Sequence, residues 1–137
     1  MKIEHIVVIN LKDKMHRWAK FYDIHPNIER FNAVDSRNDF RVCEKYGLKL
    51  DPVSVADKLY FSQTSGSVGA YCSHYLVWKH ILSNNWKNAL ILEDDAYVDD
   101  VKSLLNSNFE FESGYDVYQL NKRWHHSENF YMNFDGL

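Results

Sequence analysis

The stretch NALILEDDAY, residues 88–97, decides how the rest of this sequence is interpreted. Its short, unbroken apolar run, residues 89–92, is typical of a parallel strand that is buried on both faces. The acidic residues Glu93, Asp94 and Asp95 then lie at the carboxyl end of the strand, the edge where open α/β sheets bind ligands. Carboxylates there suit a cation, above all a metal ion that bridges to phosphate. The alternative is that these acids only cap the following turn or helix, which is a common use of Asp.

Composition indicates one folded domain over residues 1–137. Hydrophobic residues make up 45% of the chain and aromatic residues 15%, which is enough to fill a core. The net charge of −3 and the pI near 6.1 provide no general attraction for nucleic acid or an anionic membrane, so nucleic acid is not an expected partner. Any phosphate site must therefore be local.

Cysteine usage and hydropathy indicate a reducing compartment and no membrane span. Cys43 and Cys72 have no metal-ligand spacing and are interpreted as reduced, buried thiols. The first residues do not form the apolar segment of a signal peptide, and no stretch approaches the roughly 18 apolar residues that cross a bilayer. We expect a cytoplasmic protein without a transmembrane segment, and peripheral contact with a membrane stays open.

The first third of the chain reads as strand, helix, strand. Residues 3–11 predict a buried strand, Asp13 could cap a helix over residues 14–22, and residues 28–34 predict a second strand that ends at Asp35. This order implies a right-handed parallel crossover. A short helix over residues 39–46 should then be stopped by Gly47.

The remaining elements surround the acidic stretch. Residues 48–65 predict an irregular connection with one helical turn at 53–59, and residues 64–67 supply caps for a long helix over 68–84. Its expected apolar face is Val68, Tyr71, Cys72, Tyr75, Leu76, Lys79 and Leu82, widened by Trp78 and Ile81. Asp99 or Asp100 could cap a helix over 101–107, residues 109–112 and 115–120 suggest strands, and residues 121–137 form an irregular tail without a predicted element.

Placed in a parallel sheet, these strands gather polar side chains at one edge. Asn10, Asp35 and the acids at 93–95 should all lie at the carboxyl end of the sheet. Mg²⁺ and Mn²⁺ prefer hard oxygen ligands, usually one or two carboxylates together with waters and substrate phosphates. The site therefore makes sense with a phosphorylated ligand, whose departing diphosphate the metal would neutralise as a Lewis acid.

The motifs in this order resemble glycosyltransferase family 25, which includes lipopolysaccharide and lipooligosaccharide biosynthesis transferases and procollagen galactosyltransferases. The resemblance is carried by GSVGAYCSHYLVWKHI at 66–81 followed by ALILEDDA at 89–96. VINL at 8–11, with Arg17 soon after, and FNAVD at 31–35 look like the family's first two strands. The resemblance covers about residues 3–121.

The resemblance implies a GT-A fold, a Rossmann-like nucleotide-binding α/β sandwich with a mostly parallel sheet. It further implies transfer of a hexose from a UDP-sugar to a hydroxyl of a glycan or protein, with Mn²⁺ or Mg²⁺. Glu93, Asp94 and Asp95 occupy the position of the family's metal-binding acidic motif. Asp95 is then the expected metal ligand, with Glu93 as the second metal candidate and Glu93 or Asp94 nearer the ribose or donor sugar.

The other expected site residues come from the same match. Asn10 and Asp35 would border the nucleoside pocket, and Ser73 and His74 match the family's Ser-His pair, which lines the donor site. No catalytic base is assigned, and His74 is the catalytic candidate. A histidine on a helix is also often a hydrogen-bonded structural residue, and Gly66 and Gly69 could serve only to permit a tight start of the helix.

Several other aromatic and charged residues have a structural interpretation as well as a functional one. Tyr71 and Trp78 are expected in the core rather than as sugar platforms. Lys79 is either a solvated helix residue or a cation that faces diphosphate. His125-His126 could ligate a metal, although a surface role without metal is favoured.

Two other functions compete with the transferase. Members of the family are generally longer than this sequence, and the part expected to lie outside it carries the acceptor-side strands. A truncated, catalytically silent nucleotide-sugar-binding domain is therefore the first alternative. The second is an α/β interaction domain without a ligand. For an active transferase, a dimer or a partner chain could complete the site.

Overall fold

Three parallel strands form the sheet that positions the candidate site. The computed structural model describes residues 2–49, 66–108, 110, 114, 116–120 and 131–132. Its elements are strand β1 (Ile6–Asn10), a 3-10 helix (Lys12–Lys14), helix α1 (Met15–Trp18), strand β2 (Ile28–Asn32), a 3-10 helix (Phe40–Tyr46), helix α2 (Gly66–Ser83), strand β3 (Leu90–Glu93), helix α3 (Val98–Leu105), and strands β4 (Val117–Tyr118) and β5 (Tyr131–Met132).

The described residues fall into two compact units. Lys2–Ser107 holds the three-stranded sheet and its helices, and the described part of Asn108–Leu137 holds the antiparallel pair of β4 and β5. The prediction of one domain over residues 1–137 stays a prediction.

The sheet order is β2-β1-β3, with both neighbours parallel to β1. The predicted parallel pairing of the first two strands is therefore confirmed, and the right-handedness of their crossover stays a prediction. The chain then returns past β1 and places β3 on its other side. The carboxyl ends are in register, since Asn10 pairs with Asn32 of β2 and Ile9 with Glu93 of β3. Open α/β sheets bind ligands where the chain reverses direction across the sheet in this way, which here is between β1 and β3.

The two faces of β1 carry two separate parts of the core. Ile6 and Val8 pack with Phe21 and with Val101 of α3 on one face. Val7 and Ile9 pack with the fully buried Val77 of α2 on the other face. All five residues of β1 are buried, as expected for a central parallel strand with helices on both sides.

Helix α2 agrees with the predicted long helix, and Asn85 ends it in a left-handed conformation with φ of 53°. The predicted apolar face was wrong at Tyr71 and Leu82, which are 54% and 55% exposed. The small residues Gly69 and Ser73 lie on the buried face instead. Small side chains allow the helix to lie close to its neighbours. The buried face is therefore rotated relative to the face that the large apolar residues predicted.

Two predicted helices differ from the observed ones. Within residues 14–22 only one α-helical turn forms, Met15–Trp18, and Lys14 rather than Asp13 is its N-cap. Asp13 instead accepts a hydrogen bond from Arg37. Helix α3 begins at Val98 with Tyr97 as its N-cap, so neither Asp99 nor Asp100 caps it.

The short helix before Gly47 agrees with the prediction, although it is a 3-10 helix. The Asp39 side chain caps it by accepting from the Arg41 amide at 3.0 Å, and Gly47 ends it with φ of 81°. Its Cys43 and the Cys72 of α2 are buried, free thiols, as predicted. Burial raises the pKa of Cys72 to about 12, so the thiol is held in its unreactive, protonated form.

Strands β1, β2 and β4 are shorter than predicted, and β3 has the predicted length but begins one residue later. Some predictions concern residues that the structure does not describe. Residues 3–11, 28–34 and 89–92 correspond to β1, β2 and β3, while 115–120 corresponds to the two-residue β4. The tail from residue 121 was predicted without structure, which is wrong at β5. The helical turn at 53–59, the caps Thr64-Ser65, most of the strand at 109–112 and His125-His126 lie outside the described residues.

Helices with the length and hydropathy needed to cross a bilayer are absent from the described residues.

Candidate functional site

An open cleft lies at the carboxyl edge of the sheet. Its walls are the ends of β1 and β3, the loop that follows β2, and the first half of α2. The cleft thus lies at the point where the chain reverses across the sheet, the place that the sheet order selects for a ligand. A second, wider groove adjoins it on the β2 side and shares the residues around Asp35.

Asp94 lines this cleft, and the buried Asn10 bonds to it from behind the lining. The Asn10 Nδ2 donates to the Asp94 Oδ2 at 2.7 Å, although the two residues are 84 positions apart. Arg17 also approaches Asp94, with its Nη1 3.6 Å from the carboxylate. The Asp94 side chain is 14% exposed, so this carboxylate is held by two polar partners inside the wall of the cleft.

The interpretation of the acids as helix caps does not hold for this stretch. Residues 93–96 form a turn in which the Ala96 amide donates to the Glu93 carbonyl at 3.0 Å. The following helix has Tyr97 as its N-cap, and no side chain caps it. The three acidic side chains of this turn therefore do not cap α3.

Glu93 and His74 connect β3 to α2 across the cleft. The His74 Nε2 lies 3.1 Å from the Glu93 Oε1, and both residues line the cleft. Because a carboxylate only accepts hydrogen bonds, the Nε2 of His74 carries the proton in this contact. Asp95 is exposed, does not line the cleft, and has no hydrogen bond or ion pair with the described residues.

Asp35 lines both the cleft and the adjoining groove, but Arg37 occupies its carboxylate. The Arg37 Nη2 and Nε donate to the two carboxylate oxygens at 2.6 and 2.8 Å. The Arg37 side chain and backbone hydrogen bonds lower the pKa of Asp35 to about 2. Arg37 also donates to Asp13 at 3.0 Å, so a guanidinium stands between two carboxylates at the mouth of the cleft.

Ser73 lies in the wall of the cleft, and its hydroxyl forms hydrogen bonds within the protein. Its Oγ donates to the Gly69 carbonyl at 2.7 Å and accepts from the Val34 amide at 2.8 Å. The Ser36 Oγ accepts from the Gly69 amide at 2.8 Å. These bonds hold α2 against the loop that follows β2, which fixes the width of the cleft.

Three further sequence interpretations have structural outcomes. Tyr71 was expected in the core, which is wrong because it is exposed. Trp78 is half-buried, so it is partly in the core. Lys79 is exposed, lies with its Nζ 5.5 Å from the Tyr75 ring centre, and does not line the cleft, which favours the solvated interpretation.

The oxygen donors here suit a divalent ion only with help from a ligand. No group of three or more His, Cys, Asp or Glu side chains in the described part of the chain could hold a metal ion. Two carboxylates beside an open cleft match the sites in which Mg²⁺ or Mn²⁺ keeps waters and binds substrate phosphates. The arrangement therefore fits an ion that arrives with a phosphorylated ligand.

Sequence reasoning missed two arginines that organise this edge. Arg30 donates through its Nε to the Asn10 Oδ1 at 2.7 Å, and Arg37 holds Asp35. A charged residue inside the strand IERFN is the signal that could have identified Arg30, because a charge in a parallel strand needs a partner.

Comparison with known sequences places this chain in a family. The sequence model of "Glycosyltransferase family 25 (LPS biosynthesis protein)" matches residues 3–135. A "Glycosyltransferase 25 family member" of Drosophila pseudoobscura pseudoobscura is 32% identical over 105 residues, which is 72% of this chain and 17% of that protein. The family member of Aedes aegypti is 32% identical over 102 residues, covering 69% of this chain and 16% of that protein.

The human "Procollagen galactosyltransferase 2" is 27% identical over 102 residues, which is 70% of this chain and 16% of that protein. The alignments thus span about a sixth of the length of these curated relatives. No solved structure matches the chain. Since the family model covers nearly every residue, this chain belongs to glycosyltransferase family 25.

Proposed function

We propose that this chain forms the donor-binding part of a metal-dependent hexosyltransferase that uses a UDP-sugar and transfers the hexose to a glycan or protein hydroxyl. The observation that carries the proposal is Asp94, which lines a cleft at the point where the chain reverses across the parallel sheet and is held there by the buried Asn10. Nucleotides bind at this point in open α/β sheets. Membership of the family supplies the reaction class.

The same arrangement supports a GT-A-like, Rossmann-like fold for the donor-binding part. Its sheet is parallel, its central strand is buried, and helices cover both faces. The acidic motif follows β3, next to the central strand, so a diphosphate in the cleft would lie within reach of carboxylates and of Arg17.

Asp95 and Glu93 are the proposed metal ligands. Their oxygens are the hard donors that Mn²⁺ and Mg²⁺ prefer, and Asp95 is open to solvent. A divalent ion bound there would supply Lewis-acid neutralisation of the departing diphosphate. Asp94 is proposed to bind nearer the ribose or donor sugar, because its carboxylate already accepts from Asn10 and faces Arg17.

The remaining site residues divide into lining and orienting groups. Asn10 and Asp35 would border the nucleoside, and Ser73 keeps the wall of the cleft in place through its two hydrogen bonds. His74 orients Glu93 by donating to its carboxylate, and it is the candidate for a catalytic role. A second copy of the chain or a partner chain could supply acceptor contacts.

Calorimetric titration with UDP and Mn²⁺ tests the donor site. We expect binding by the native chain, and loss of most of that binding in Asp95→Asn, since the substitution removes a charged oxygen ligand at nearly constant size. Asp99→Asn is the matched control, because Asp99 is also an exposed aspartate and lies in the first turn of α3, outside the acidic turn of residues 93–96. An Asp95→Asn variant that binds as tightly as the native chain would contradict the proposed ligand.

Release of UDP from the donor separates transfer chemistry from binding alone. A transferase hydrolyses its donor slowly even without an acceptor, whereas a catalytically silent nucleotide-sugar-binding domain retains it intact. We expect slow, metal-dependent release of UDP from a UDP-hexose by the native chain. Tight binding without any release would favour the silent domain.

A further inference from the structure

The side-chain amide of Asn10 is buried and has a partner for each of its polar atoms. The residue is 1% exposed. Its Oδ1 accepts from the Arg30 Nε at 2.7 Å, and its Nδ2 donates to the Lys14 carbonyl at 2.9 Å and to the Asp94 carboxylate at 2.7 Å. One residue of β1 thus joins β2, the segment before α1, and the acidic turn after β3.

Only one orientation of this amide satisfies all of its neighbours. The guanidinium of Arg30 can only donate, so it must face the oxygen of Asn10. A carbonyl and a carboxylate only accept, so they must face the nitrogen. A flipped amide would set an oxygen against the Asp94 carboxylate and leave buried groups without a partner.

Arg30 holds Asn10 at two points. Besides the bond to Oδ1, its Nη2 donates to the Asn10 backbone carbonyl at 3.0 Å and to the Asn32 Oδ1 at 3.2 Å. The fork of the guanidinium therefore fixes the side chain and the main chain of Asn10 together. A lysine carries a single point charge on a flexible stem and cannot reproduce this geometry.

We propose that Arg30 is a positioning residue that acts through the Asn10 amide to aim the Asp94 carboxylate into the cleft. This inference rests on the proposed function, because Asp94 is assigned to the donor site there. Arg30 and Asn10 lie outside the cleft lining and Asp94 lies in it, so Arg30 would affect a ligand in the cleft through Asp94. Asp94 lies between the two proposed metal ligands in the chain, and residues that orient the surroundings of a metal site typically change metal affinity by roughly 10- to 100-fold when they are removed.

The test compares Arg30→Met and Arg30→Lys with Arg41→Met. Arg41 is a matched control, since it also pairs with an aspartate but is 68% exposed and lines neither cleft nor groove. Two quantities are measured in each variant. One is the affinity for UDP with Mn²⁺, and the other is the solvent exchange rate of the Asn10 side-chain NH2 protons, followed by NMR on ¹⁵N-labelled protein.

We expect Arg30→Met to bind UDP with Mn²⁺ roughly 10- to 100-fold more weakly. Exchange of the Asn10 NH2 protons should accelerate by about tenfold or more, the equivalent of losing about 1.4 kcal/mol of protection. Arg30→Lys should show both effects in weaker form, and it decides the question if Arg30→Met does not fold. Arg41→Met should match the native chain in both.

Unchanged Asn10 exchange in a folded Arg30 variant would overturn the inference, whatever happens to the affinity, because the arginine would then not be holding the amide. Faster exchange with native UDP affinity would also overturn it. If the native chain binds no UDP, the proposed function fails, and the exchange rate alone decides whether Arg30 fixes Asn10. The two failures are therefore distinguishable.

Discussion

At the scale of single residues, the Arg37 guanidinium sets the charge state of Asp35. Its hydrogen bonds lower the pKa of Asp35 from 3.8 to about 2. In Arg37→Met we expect this pKa to rise part of the way to 3.8, measured by NMR titration of the side-chain carboxyl, because the side-chain bonds are lost while the backbone amide of residue 37 still donates to Asp35. Because the folded-state pKa is depressed, the pair stabilises the fold above pH 3.8 and ceases to do so as the pH falls through 2.

Arg41 and Asp39 form the matched comparison for that titration. The backbone hydrogen bond from the Arg41 amide is the largest cause that lowers the pKa of Asp39, ahead of the side-chain bond. Arg41→Met keeps the amide, so the pKa of Asp39 should stay below its ordinary value. A similar response of Asp35 and Asp39 to loss of their arginines would contradict this account.

Ser73 is the second residue whose substitution has a defined outcome. In Ser73→Ala the buried Val34 amide loses its acceptor at 2.8 Å, and the Gly69 carbonyl loses a donor. An unsatisfied buried group costs about 1–3 kcal/mol, so we expect the free energy of unfolding to fall by that amount in urea denaturation. Ser103→Ala, at an exposed position of α3, should change it by less than about 0.5 kcal/mol.

At the scale of elements, Gly69 allows α2 to approach the loop after β2. A Cβ built there would lie 2.5 Å from the Val34 carbonyl oxygen and 2.6 Å from the Ser36 Oγ. Because the backbone cannot yield without moving the loop, Gly69→Ala should destabilise the fold by about 1–3 kcal/mol and weaken ligand binding in the cleft. The measurements are thermal unfolding and titration with UDP and Mn²⁺.

Gly66 provides the control on the same helix. No atom of the described residues lies within 4 Å of a Cβ at Gly66, so Gly66→Ala should be close to neutral in stability. Equal losses of stability in the two variants would mean that helix propensity rather than close packing explains the effect at Gly69.

The sequence predicts some of these elements better than others for a physical reason. β1 and β3 are short apolar runs that the sequence shows directly. The helix at 66–83 is long enough for the helical spacing of its apolar residues to be recognised. The segment at 14–22 has helical spacing but forms only one α-helical turn, and Phe21 is buried from the turn that follows it. A short helix gains little to offset its costly first turn.

At the scale of the whole molecule, strand order explains why only part of the site was predictable. Motifs at the ends of strands indicated that Asn10 and the acids would share one edge, and the sheet order β2-β1-β3 makes Asn10 and Asp94 direct partners. The arginines were not predictable to the same degree. A long side chain can reach several partners, and tertiary packing chooses among them, as it does for Arg30 and Asn10.

The charge of the whole molecule leads to the last prediction, which concerns ligand-induced stability. A net charge of −3 offers no general attraction for a polyanion, so binding must come from the local arginines and a divalent ion. A ligand that binds only the folded state at a hundred times its Kd stabilises that state by about 2.7 kcal/mol. UDP with Mn²⁺ should therefore raise the Tm measured by calorimetry.

Two comparisons in the same experiment assign that stabilisation to the pyrophosphate and its ion. UMP with Mn²⁺ should raise the Tm less than UDP does, since it lacks the second phosphate that would bridge to the ion, and removal of Mn²⁺ with EDTA should abolish most of the shift. Asp95→Asn should lose the shift, and Asp99→Asn should keep it. A Tm that UDP with Mn²⁺ leaves unchanged would favour an interaction domain without a nucleotide ligand, since binding to the folded state alone must raise its stability.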